Sequence, residues 1–278
     1  MKKNSGIITV FTPYEIEQCL YDTKRTLNFQ RAIQEIVRRG DIVVDAGSGT
    51  GVLGLFAAQS GAKKVYCIET NPRFIPVIKI NAAANRVTNL IEIVEADATT
   101  IVLPEEVDII ISELLSTGLF YEPFVQVIQN LRTYLSSDGT ILPSRIVSRV
   151  CLLQAETCAY GLRFAQDIRY HRISGDTPLT ESRKYDSLDM YTAERVTVDS
   201  SVIVRALRSG TANAIRITTT ARLTPKVFLR SSKFLFNPMT IFLPDTYQIE
   251  KDEKYEINIV YKYAAEALSA RIEVKKID

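Results

Sequence analysis

The 278-residue chain contains no tryptophan and a single histidine, His171. Its four cysteines, Cys19, Cys67, Cys151 and Cys158, form no C-x-x-C pair. Without His and Cys at ligand spacing, a zinc site is not expected and no metal is assigned. The thiols read as reduced residues in or near the core, which fits a cytoplasmic location. Basic runs are also missing. With 34 Lys+Arg against 32 Asp+Glu the net charge is +2, so charge gives no case for a nucleic-acid partner. No apolar stretch approaches the ~18 residues of a membrane span, so no membrane partner is expected. The start, "MKKNSGIITVFTPYEIE", lacks the apolar run and cleavage site of a signal peptide. Internal repeats and low-complexity segments are absent too.

What is present is ordinary globular composition, 46% hydrophobic and 24% charged, over a length that suits one large domain or two smaller ones. The pattern changes near residue 143. Before it, "DIVVDA", "KVYCIE", "LIEIVEAD" and "VDIIISE" read as buried strands rich in Val and Ile. "GVLGLFAAQSGA" and "NPRFIPVIKINAAANR" read as helices between them, the second with Asn71 as cap and Pro72 at the first helical position. Upstream, Leu20, Leu27, Ala32, Ile33 and Ile36 recur at helical spacing. Alternating strand and helix imply a mostly parallel sheet of α/β, Rossmann-like type. After "DGTILPSRI" the segments "IVSRVCLLQAE", "RVTVDSSVIVRAL", "ANAIRITTTARLT" and "KYEINIVYKYA" alternate and are rich in β-branched residues. The expected division is therefore 1–143 for N-terminal helices plus the parallel-sheet domain, and 144–278 for an antiparallel β-barrel-like domain. Residues from about 155 to 192 break the alternation and could form a helical insertion or arm.

Gly47, Gly49 and Gly51 follow the first strand and open a helix. Such a turn lets backbone N–H groups approach a ligand. The spacing is G-x-G-x-G rather than the G-x-G-x-x-G of dinucleotide folds, and Asp45 precedes it. An acid there disfavours a pyrophosphate and favours a ligand with a cationic end. Glu69 ends the next strand, 22 residues after Gly47, where a carboxylate can accept from both ribose hydroxyls. Asp97 follows the third strand and can read an adenine amino group. An adenosine ligand with a cationic amino-acid end is S-adenosyl-L-methionine, which leaves S-adenosyl-L-homocysteine as product. The D-A-G-S-G-T-G pattern with its downstream acid is similar to motif I of class I methyltransferases. Ser48, Thr70 and Ala98, beside these positions, complete this part of the expected cofactor set.

A second constellation follows the fourth strand, in "SELLSTGLFYEPF". Glu113 stands at the strand end and Glu122 nine residues on. Two carboxylates can grip a guanidinium, a planar fork of five donors, by paired charge-assisted hydrogen bonds. Ser112, Glu113, Leu119, Tyr121 and Glu122, with Phe120, match the S-E-x-x-x-x-x-L-x-Y-E form of the double-glutamate loop of protein arginine methyltransferases. The segment "CLYDTKRTLNFQRAI" resembles the same family's D-x-x-R-T-x-x-Y/F pattern at Asp22, Arg25, Thr26 and Phe29. The resemblance runs densely from about 15 to 146. It implies catalytic roles for Glu113 and Glu122, a cofactor contact at Glu113, a pairing of Arg25 with the carboxylate of the methionine moiety, and a homodimer built through an arm.

The chain also departs from that family. Only Tyr14 stands for its N-terminal tyrosine motif. Its T-H-W loop is replaced by Leu235, Phe236 and Asn237, and Cys19 takes a place where Met is common. The substrate is expected to be a guanidinium- or amine-bearing protein, peptide or small molecule. Two alternatives stay open: a class I methyltransferase for another nucleophile, and a non-catalytic cofactor-binding scaffold. The "SELLS" after the fourth strand speaks against nucleic-acid amino methyltransferases, which carry an Asn/Asp-Pro-Pro-Tyr/Phe loop there.

Overall fold

The computed structural model describes residues 12–230 and 236–277. Leu235 lies outside them. Two helices come first. α1 (Pro13–Leu20) opens with a reciprocal cap: Thr12 Oγ1 accepts from Glu15 N–H, and Glu15 Oε2 accepts from Thr12 N–H at 2.7 Å. The chain breaks at Tyr21 and restarts at α2 (Thr23–Ile36), capped by Asp22 Oδ1 on the Arg25 N–H. Arg25, Phe29, Ala32 and Ile33 form its buried face. Leu27, which shares the expected apolar spacing, is instead half exposed.

The parallel domain follows, with strands and helices alternating except between β3 and β4. β1 (Ile42–Ala46), α3 (Val52–Gln59), β2 (Lys64–Glu69), α4 (Ile75–Ala84), β3 (Ile91–Glu95), β4 (Val107–Ser112), α5 (Phe124–Leu131) and β5 (Leu135–Leu142) appear in that order. The sheet order is β3-β2-β1-β4-β5, and every pair is parallel. β1, β2 and β4 are buried almost end to end, which is why they carry apolar runs rather than alternation. Strand order reverses between β1 and β4, so a crevice opens beyond their carboxyl ends. α4 starts later than its cap signal suggests. Asn71 Oδ1 accepts from Arg73 N–H at 3.1 Å, closing a turn over 72–74, and the helix begins only at Ile75. Pro72 sits in that turn, and Pro76 occupies the first helical turn.

The second half is antiparallel. β6 (Arg145–Gln154) pairs with Gly210–Arg222 and with Arg183–Asp189 inside a seven-stranded half-barrel sheet. Thr197–Arg205, Lys254–Lys262 and Arg271–Ile277 form a three-stranded sheet. Residues 155–192 contain no helix. Cys158–Ala159 and Leu162–Arg163 form a hairpin, turned by Tyr160 and Gly161 at φ +55° and +77°. Two successive positive φ values make the tight turn that suits a two-residue hairpin. The segment is thus β-structured, and it leaves Tyr160 and Leu162 exposed. Cys158, expected near the core, is exposed on this hairpin. The other three cysteines are buried or half-buried, and none is in a disulfide.

Candidate functional site

The crevice beyond β1 and β4 is a cavity walled by α1, α2, the glycine turn, the ends of β2 and β3, and the loop from Glu113 to Pro123. Of the sequence-expected residues, Arg25, Asp45, Gly47, Ser48, Gly49, Glu69, Thr70, Asp97, Ala98, Glu113 and Glu122 all line it. Gly51 does not. It sits one step back as the cap residue of α3, at φ +80°, with Ile78 Cγ2 only 3.1 Å from the position of a Cβ.

The turn is shaped from within. The N–H groups of Gly47 and Ser48 both donate to Ile68 O at 3.0 Å, and Ser48 Oγ donates to Asp45 O at 2.7 Å. Gly47 has φ +75°, and a Cβ there would meet Leu114 Cδ2 at 2.6 Å. Only glycine meets both demands. Asp45 is buried and its Oδ2 accepts the Gly54 N–H at 2.9 Å, in the first turn of α3. Burial pushes its pKa up to about 7 against that bond. Its acidity therefore answers to the helix start as well as to any ligand.

Glu69 fixes the next corner. Its Oε2 accepts Gly49 N–H at 2.7 Å and its Oε1 accepts Asn71 N–H at 2.8 Å. A carboxylate has about four acceptor positions, so two remain for a ligand. Asp97 is half-buried, with Oδ1 accepting from both N–H and Oγ1 of Thr99 at 2.8 and 2.7 Å. Ala98 is buried beside it, and Thr70 is exposed at the rim. Ile16, Asn71, Phe74 and Leu114 also line the cavity, which sequence reasoning did not anticipate. Ile16 lies 3.5 Å from where a Gly49 Cβ would be, so α1 folds over the turn.

At the far end stand three ionisable groups, Arg25, Glu113 and Glu122. Arg25 Nη1 pairs with Glu113 Oε1 at 2.9 Å, with the two side chains 3% and 14% exposed. Arg25 Nη2 is buried and has no hydrogen-bond partner among the described residues. A guanidinium nitrogen left idle in a cavity wall fits an anionic ligand group there. Burial pushes Glu113 up to about 7, against the pull of Arg25. Glu122 is held well above the usual carboxylate range, first by burial and then by Glu113, with Arg25 opposing. Both acids therefore sit poised to ionise when a cation arrives. The Cys19 thiol lies against this group and burial raises it to about 12, so it stays neutral. Among the described residues no His/Cys/Asp/Glu group could hold a metal ion, and no helix is long and apolar enough to cross a membrane.

The barrel half adds no described residue to the cavity wall, yet it grips the acidic loop. Thr117 Oγ1 donates to the Asn237 carbonyl, and Phe236 is buried beside it. Phe236 and Asn237 are two of the three residues expected from the sequence at the position of the T-H-W loop.

Comparison with known proteins completes the description of the chain. A sequence family described as Ribosomal protein L11 methyltransferase (PrmA) matches residues 23–157. An uncharacterized protein of Methanocaldococcus jannaschii, MJ1452, is 30% identical over 255 residues, covering 91% of this chain and 93% of that protein. Protein arginine N-methyltransferase 6 of Danio rerio is 37% identical over 135 residues, 46% of this chain and 38% of that protein. The matched segment thus spans about two-fifths of that longer relative. Among solved structures, the Trypanosoma brucei PRMT1 enzyme-prozyme heterotetrameric complex with AdoHcy superposes with TM-score 0.78 at 19% identity, over 94% of this chain and 97% of that one.

Proposed function

Because the chain is a protein arginine methyltransferase-like class I S-adenosylmethionine-dependent methyltransferase, we propose that it methylates a guanidinium nitrogen of a protein, peptide or small molecule. The observation that carries this reading is the meeting of Arg25, Glu113 and Glu122 in one cavity with the glycine turn. The donor supplies a methyl group on a positively charged sulfur. Glu69 takes the ribose hydroxyls with its two remaining acceptor positions, and Asp97 takes the adenine amino group. The idle Nη2 of Arg25 takes the donor's carboxylate. Ser48, Thr70 and Ala98 line the same wall.

Glu113 and Glu122 form the double-glutamate grip on the acceptor. Two buried carboxylates bind one planar cation by parallel hydrogen bonds and hold one nitrogen toward the donor. They also draw positive charge toward the distal nitrogens, which leaves the attacking lone pair less delocalised. Their raised pKa values suit the pick-up of the proton lost after transfer. Residues 1–143 serve as the donor half and 144–278 as the half that supports the acceptor side. The exposed hairpin from Cys158 to Arg163 supports a homodimer, and the free thiols support a cytoplasmic location. A solution mass near one chain removes the dimer.

The test is incubation with labelled S-adenosylmethionine and a panel of free arginine, arginine peptides and small guanidines, with Glu122→Gln alongside. Labelling of a guanidino acceptor by wild type and its loss in the variant is expected. Cofactor binding without any labelled guanidino acceptor defeats the reading. One observation favours transfer to another nucleophile: no described residue after Val127 lines the cavity. Labelling of a small amine but of no guanidine would select that alternative.

A further inference from the structure

The backbone of Gly118 is held on both its N–H and its carbonyl by the second half of the chain. Its N–H donates to Thr219 Oγ1 at 2.8 Å, and its carbonyl accepts from the Tyr261 hydroxyl at 2.8 Å. A phenol has one proton. Tyr261 spends it on Gly118, so the 3.0 Å contact between the Tyr261 and Tyr185 hydroxyls is donated by Tyr185. The donors run in one direction, from Tyr185 to Tyr261 to Gly118 O. Thr219 Oγ1 also shares a hydrogen bond with Ser148 Oγ at 2.9 Å. Backbone bonds continue the grip: Ala264 N–H donates to Leu119 O at 3.0 Å, and Tyr121 N–H donates to Ala265 O at 3.2 Å.

The held segment is not one that would keep its shape alone. Gly118, Leu119 and Tyr121 have φ +72°, +57° and +69°. The two non-glycine residues adopt such values only where their surroundings impose them. Phe120 is fully buried, with its ring centroid 4.3 Å from that of Tyr261. Glu122 follows directly. None of Tyr185, Thr219 and Tyr261 touches the cavity. The bonds of Thr219 and Tyr261 to Gly118 are among those by which the barrel half reaches the site.

We propose that Tyr261, donating to Gly118 O with Tyr185 behind it, is a positioning residue that fixes the Gly118–Glu122 segment and thereby sets the place of the Glu122 carboxylate. The inference rests on the reading of Glu122 as an acceptor ligand. A misplacement of about 1 Å at such a group costs roughly a hundredfold in rate.

Tyr261→Phe keeps the ring against Phe120 and removes only the hydroxyl, leaving Gly118 O and the Tyr185 hydroxyl without their partner. Affinity for S-adenosyl-L-homocysteine, read by calorimetry, is expected to stay within about twofold, since the donor wall is untouched. In protein saturated with S-adenosyl-L-homocysteine, amide exchange within 118–122 is expected to rise roughly tenfold or more. Turnover on the guanidino acceptor that wild type labels is expected to fall roughly tenfold or more, and Tyr261→Phe is expected to add nothing in a Glu122→Gln background. Unchanged exchange in 118–122, or losses that multiply in the double variant, overturns the proposal. Should Tyr261→Phe not fold, Tyr185→Phe removes the upstream donor alone, and unchanged exchange in 118–122 there overturns it equally. If wild type labels no guanidino acceptor, the proposed function fails, and the exchange result by itself still decides the positioning role.

Discussion

Replacing Glu122 by glutamine should separate what the residue does for the fold from what it does for the acceptor. Glu122 is buried, and burial and then Glu113 hold its pKa well above the usual carboxylate range. Below about pH 4.5 the carboxyl is neutral in folded and unfolded chains alike. Above it the unfolded chain releases its proton while the folded one keeps it. Wild type therefore loses stability as pH rises toward the native pKa, by about 1.4 kcal/mol per pH unit from this group. Glutamine has nearly the same shape and titrates in neither state. Glu122→Gln is thus expected to match wild type near pH 4.5 and to be the more stable protein at pH 7, in denaturant melts of the ligand-free chain. Activity moves the other way. Two charge-assisted hydrogen bonds to a guanidinium contribute about 1.5–3 kcal/mol each, so kcat/KM should fall roughly 10²–10⁴-fold. A variant that is less stable at pH 7, or one that keeps full turnover, refutes this reasoning.

Arg25→Lys should weaken S-adenosyl-L-homocysteine binding by roughly tenfold or more in calorimetry, because an ammonium cannot serve Glu113 and a second carboxylate as a planar fork does; equal affinity would remove the assigned role. Gly47→Ala places a methyl 2.6 Å from Leu114 Cδ2 at φ +75°, so thermal melts should show a loss of about 1–3 kcal/mol together with weaker cofactor binding. Asp45 and Glu113 rise from 3.8 and 4.5 to about 7 on folding, so ligand-free wild type should lose stability between about pH 4 and 7, on the order of 3 kcal/mol for each group. Asp45→Asn keeps an acceptor for the Gly54 N–H and should flatten that slope, and an unchanged slope would count against the buried acid.

Much of the donor half was legible because its signals are local. A buried parallel strand announces itself by an apolar run, and β1, β2 and β4 carry one. Gly47 and Glu69 act through backbone contacts a few residues away or on the adjacent strand, so spacing exposes them. The start of α4 was misread because Asn71 caps a turn with the same chemistry that caps a helix. The 155–192 segment was misread because Tyr160 takes a positive φ that tyrosine rarely adopts, which no composition rule reveals. Tyr261 and Thr219 left no trace at all. They look like ordinary residues of alternating strands, and their partner Gly118 lies more than a hundred residues upstream.

That separation governs the order in which the molecule can be assembled on the ribosome. The five-stranded sheet and its glycine turn need nothing beyond β5, so a nascent chain can close the donor crevice once residue 142 has emerged. The hydroxyl that closes on Gly118 arrives 143 residues after it. At a synthesis rate of about 5–20 residues per second, the acidic loop waits several seconds or more for its mould. A chain truncated before residue 261 would keep the pocket for one reactant and lose the shape of the loop that faces the other.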